Sequence, residues 1–95
     1  MNYSVDKEEY QLPSELTIYE VGEVYAQIQN LLDENKLLNI DGSRVADIDT
    51  AGIQLLLRLM NLYPYNQLQI VNASLALVQA FEFLGVVWGV ELTDE

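Results

Sequence analysis

Ninety-five residues carry fifteen carboxylates against four cations, a formal net charge of −11, with no cysteine and no histidine. This excludes disulfides, thiolate nucleophiles, Ser-His and Cys-His relays and ordinary zinc sites. It also disfavours phosphate-backbone and anionic-lipid surfaces as partners, so neither nucleic-acid binding nor direct membrane insertion is expected, and a basic protein surface suits the charge better.

The length suits one domain over residues 1–95, with a single small core. About half the residues are hydrophobic and no stretch is repetitive or dominated by Gly, Ser or Pro, the composition of a globular chain. Neither a signal-peptide pattern nor an apolar run near the ~20 residues of a membrane span is present. The cytoplasm is the expected location.

In chain order, "EYQLPSELTI" (9–18) has extended character around Tyr10–Leu12 and Leu16–Ile18. Pro13 cannot donate to a ladder, which predicts either a short edge hairpin or a strand broken at the proline. Ile18, Val21, Val24, Tyr25, Ile28, Leu31 and Leu32 then recur at helical spacing, with Thr17 and Glu20 disposed as a capping box. "LLNID" (37–41) reads as a buried strand in the middle of the sheet, and "GSRVAD" as a loop. Asp49 or Thr50 caps a helix from about Ala51 to Tyr63, stopped by Pro64. "LQIV" (68–71) is a second buried strand, parallel to 37–41. Ser74 caps a third helix ending near Leu84 and Gly85, and "VVWGV" (86–90) reads as a last short strand with Trp88 in the core. The alternation defines an α/β class: a small mixed β-sheet of about four strands with three to four helices packed mainly on one side.

The helix after "DIDT" is unusual. Gln54, Arg58 and Asn61 form one narrow polar stripe, and the apolar residues cover roughly 240° of arc, where a helix lying on a sheet needs a stripe only somewhat wider than ~100°. Either neighbouring helices cover the surplus or a partner does, and Leu55 and Leu57, beside the polar stripe, are the residues to follow.

"DIDTA" (47–51) superficially matches the Asp-x-Asp signature of haloacid-dehalogenase-type phosphatases. Ala51 stands where that motif has threonine or valine, every lysine precedes it, and the next carboxylate after Asp49 is Glu82. The groups needed to neutralise a phosphoryl group and hold magnesium are missing, so no catalytic residue is assigned and a phosphoryl-transfer enzyme is the remote alternative. Asp47 and Asp49 alone make a poor cation site, so neither metal nor cofactor is expected.

"LLNIDGSRVADIDTAGIQLLLRLM" followed by "LQIVNASLALVQAFEFLGV" resembles the STAS domain of bacterial anti-sigma factor antagonists, most sharply at Asp49, Thr50, Ala51, Gly52 and Ile53. The resemblance implies a non-catalytic binding module that docks a protein partner through Asp47, Asp49, Thr50, Ala51, Gly52, Ile53, Gln54 and Leu57. It also implies phosphorylation within that segment, where Thr50 is the only hydroxyl. The implied partners are an ATP-binding serine kinase of the anti-sigma factor type, a chemotaxis kinase, or the ATPase of a lipid ABC transporter. In the sporulation-type antagonists a serine directly precedes the glycine; here that position is Ala51, and the Asp-Thr-Ala-Gly form is similar to the chemotaxis-linked and transporter-linked branches. A constitutive subunit or adaptor that is not phosphorylated is the alternative. If Thr50 is not modified, the residues leave it the bland role of capping the helix.

Overall fold

A computed structural model describes residues 7–64 and 66–83. The chain runs β1 (Lys7–Gln11), β2 (Glu15–Leu16), α1 (Val21–Leu31), β3 (Leu37–Asp41), β4 (Asp47–Ile48), α2 (Thr50–Leu62), β5 (Leu68–Val71) and α3 (Leu75–Phe83). The expected end of the third helix at Leu84 and Gly85, the strand at 86–90 and the packing of Trp88 lie outside the described residues.

Strands β1, β3 and β5 form one sheet with β3 in the centre, and β2 and β4 form a second, two-stranded sheet. Every ladder among the described residues is parallel, with Leu38 opposite Leu68 and Ile40 opposite Ile70. The expectation of an α/β domain with β3 central and paired in parallel with β5 holds. Of the two readings at Pro13 the broken strand is the one found and the hairpin is not, because β1 and β2 belong to different sheets. The turn between them explains why. Leu12 N–H donates to Asp41 O at 2.9 Å, extending the first ladder by one residue, and Ser14 O then accepts from Ala46 and Asp47 of the second sheet. Pro13, with no N–H to offer, stands where the chain changes sheets.

Alternation sends Leu38 and Ile40 of β3 inward, where they meet Leu56 and Leu59 of α2, Ile28 of α1 and Phe81 of α3 in one apolar core. Each fully buried side chain of this size contributes about 1.5–3 kcal/mol by leaving water. The opposite face of the larger sheet is polar, and there Gln69 Nε2 donates to Asn39 Oδ1 at 2.9 Å.

The helices begin for identifiable reasons. Ser74 caps α3 as its position suggested, its Oγ accepting from Leu77 N–H at 3.1 Å and donating to Val45 O at 2.6 Å. Glu20 reaches back to Thr17, accepting from its N–H at 2.8 Å and its hydroxyl at 2.7 Å. This pair closes a lead-in turn over 17–20 rather than the first turn of the helix, so α1 starts at Val21 and Ile18 lies ahead of it, 60% exposed.

The wide apolar arc of α2 is mostly absorbed by the fold. Ile53, Leu55, Leu56 and Leu59 are buried, Leu57 and Met60 are partly buried against the core, and Leu62 remains 55% exposed. The polar stripe of Gln54, Arg58 and Asn61 faces solvent.

Candidate functional site: the start of α2

Three backbone segments meet where α2 begins. Strand β2 ends at Leu16, the 17–20 turn follows it, and β4 delivers Asp49 beside both. The carboxylate of Asp49 joins them. Its Oδ1 accepts from Gly52 N–H at 3.0 Å and caps α2, and its Oδ2 accepts from Ile18 N–H at 3.0 Å and pins the turn ahead of α1. These contacts, that with Gly52 first, hold the Asp49 carboxyl below the ordinary carboxylate range. Glu20 is likewise lowered, chiefly by the Thr17 hydroxyl and then by the Thr17 N–H. Both side chains therefore stay ionised at neutral pH.

Gly52 has a steric reason. A Cβ there would lie 2.1 Å from Leu16 O, so only a hydrogen at this position lets the helix seat against β2. Gly52 and Ile53, both expected in the docking segment, are buried, Ile53 at 6% exposure. They shape the site from inside; their side chains are not on its surface. Asp47, Thr50 and Gln54 are exposed, and Asp49, Ala51 and Leu57 are partly buried.

Thr50 is the first residue of α2 and Asp49 is its cap, so the bland role for Thr50 is corrected. Its side chain is exposed and its hydroxyl has no hydrogen-bond partner among the described residues. Next to Asp49 stand Ile18, 60% exposed although its spacing placed it on the apolar face of the first helix, and Tyr19, 89% exposed and not expected at the site. The signal that finds them is the capping box itself: a Thr17–Glu20 pair used as a lead-in turn leaves positions 18 and 19 outside the helix. On the other flank, Glu15 and Asp47 sit opposite each other in the β2–β4 ladder, both exposed. Like charges so placed repel, and among the described residues no lysine or arginine pairs with either.

Each Asp49 oxygen accepts one backbone N–H. Among the described residues no group of three or more His, Cys, Asp or Glu is placed to hold a metal ion, and no helix is long and apolar enough to cross a membrane.

One helix start of a parallel α/β scaffold thus presents a hydroxyl, two exposed apolar side chains and carboxylates unpaired among the described residues. The family model described as "Mlab, STAS domain" matches residues 6–87. The chain belongs to the STAS domain family, whose members are generally non-catalytic and whose character fits a regulatory or protein-binding role. No curated protein and no solved structure matches the chain.

Proposed function

We propose that residues 1–95 form one STAS domain acting in the cytoplasm, that it docks a protein partner through the start of α2, and that Thr50 is the residue on which this docking is regulated. The observation that carries the reading is Thr50 itself: exposed, unbonded among the described residues and relieved of capping by Asp49. Partner contacts come from Asp47, Thr50, Ala51, Gln54 and Leu57, with Ile18 and Tyr19 as apolar anchors of a kind common at interface centres. The partner is an ATP-binding serine kinase of the anti-sigma factor type, a chemotaxis kinase or an ABC-transporter ATPase.

A phosphate on Thr50 would add about −1.5 to −2 charge. The positive end of α2 tolerates it, since the first turn of a helix favours anions. Asp47, Asp49 and Glu20 oppose it from the side, and a partner seated on Tyr19 and Gln54 must make room for it. The expected consequence is release of the partner from a chain that stays folded.

One observation favours a second reading. Ala51 occupies the place where the better-known antagonists carry their serine, which suits a constitutive subunit or adaptor using the same surface without modification. Partner capture by the wild type, Thr50→Ala and Thr50→Asp, with mass spectrometry of Thr50 from cells, separates the two. Loss of the partner by Thr50→Asp alone, with phosphate found on Thr50, supports the switch. Equal capture by all three and no phosphate leaves the constitutive reading.

A further inference from the structure

The face between α1 and α2 carries a groove continuous with the start of α2. Val21, Gly22 and Tyr25 of α1 line one side and the α2 positions from Ala51 to Leu62 the other, about 16 Å or three turns of helix, with Tyr25 and Leu62 the exposed apolar side chains. Two further observations bear on what fills it.

The first is Gly22. A glycine inside a helix costs about 0.5–1 kcal/mol relative to alanine. At Gly52 the packing explains the residue, but a Cβ at Gly22 would meet nothing within 4 Å. Nothing in the fold asks for glycine here; what its absent side chain provides is an open groove. The second is Arg58. It lies on the groove rim, exposed, and no carboxylate among the described residues pairs with it, although carboxylates outnumber cations fifteen to four in the chain.

We propose that the groove receives an amphipathic helix of the docked partner, apolar toward Tyr25 and Leu62 and bearing a carboxylate that pairs with Arg58. The proposal rests on the docking reading above and adds the element that the partner inserts. Helix-in-groove recognition uses this geometry, with anchors at i, i+3, i+4 and i+7. Charge decides the occupant: a second copy of a chain at −11 is repelled as a whole, whereas a local carboxylate on another protein meets the one cation at the rim.

The test uses the full chain and two synthetic amphipathic helices of about four turns, alike in their leucines, one flanked by glutamates and the other by lysines. Binding is followed by amide chemical shifts at physiological salt, where long-range repulsion is screened. The acidic peptide is expected to shift Gly22, Tyr25, Gln54 and Arg58, and to bind about 1.4- to 5-fold tighter than its basic twin, the effect of one exposed ion pair. Arg58→Glu is expected to invert that preference. Gly22→Leu, pointing into open space, is expected to keep a folded spectrum and lose the peptide. No shifts, shifts mapping away from the groove, a preference for the basic twin, or indifference to Arg58→Glu overturns the proposal. Failure of the Thr50 switch in partner capture, with the peptide still seated, removes the switch and leaves the groove; the reverse removes the groove alone.

Discussion

At the residue scale, Asp49 and not Thr50 is the cap of α2. Either could cap α2, and both have capping side chains; the deciding factor is that Asp49 also reaches Ile18 N–H across the site. Thr50→Ala is therefore expected to leave the unfolding free energy within about 0.5 kcal/mol of wild type, as surface changes usually do. Asp49→Ala is expected to lower it clearly, since it frees two N–H groups at once. Gly52→Ala is expected to cost more than either, at least about 1–3 kcal/mol of overpacking, because its Cβ would collide with backbone rather than a movable side chain. Thermal or urea denaturation of the three variants checks the order. The same carboxylates set a pH dependence. Asp49, Glu20 and Asp41, the last lowered first by the Ser43 N–H, have folded pKa values below their ordinary ones. Their contribution is fully present above the ordinary carboxylate range and is lost as pH falls through the folded values. The urea midpoint of wild type is expected to fall below about pH 4, and that of Asp49→Ala to fall less steeply.

At the element scale, β3 and β5 occupy the spans expected from their apolar runs, because strands buried in the middle of a sheet announce themselves by continuous hydrophobicity. Ser74 was legible as the cap of α3 for a similar reason, a polar hydroxyl immediately ahead of an apolar run. Strands β2 and β4 were not legible as a pair. Two residues carry no period, and their parallel register is set by contacts across thirty-two positions of sequence, Glu15 to Asp47. The surplus apolar arc of α2 was legible but its use was not, since only the packing shows Leu55 buried and Leu62 exposed. Of the candidate site, Thr50 and its neighbours could be named from the motif. Ile18 and Tyr19 could not, because a Thr17–Glu20 pair reads equally as the first turn of a helix, and only the Asp49 contact with Ile18 N–H marks it as a lead-in turn. Ser74→Ala is expected to cost about 1–2 kcal/mol, the cost of a lost cap, with loss of hydrogen-exchange protection in the first turn of α3 ahead of the rest.

At the scale of the whole molecule, a charge of −11 on 95 residues opposes the compact state. Among the described residues a single ion pair, Lys36 with Glu8 at 3.7 Å, is exposed and offsets little of it. Raising ionic strength at neutral pH is expected to raise the urea midpoint as the repulsion is screened. The same charge suits a basic partner surface around the α2 start, where Glu15, Glu20, Asp47 and Asp49 gather, and binding is expected to weaken as salt screens that attraction. The apolar anchors Ile18 and Tyr19 supply contact that salt does not remove.

Hydrogen exchange of the chain alone and in complex with the protein it captures tests most directly whether the α2 start is the docking surface. Protection gained at residues 17–20 and 47–54, extending along the exposed side of α2, is the expected result. Protection confined to the polar face of the larger sheet, around Glu9, Asn39 and Gln69, with no change at the α2 start, would contradict it.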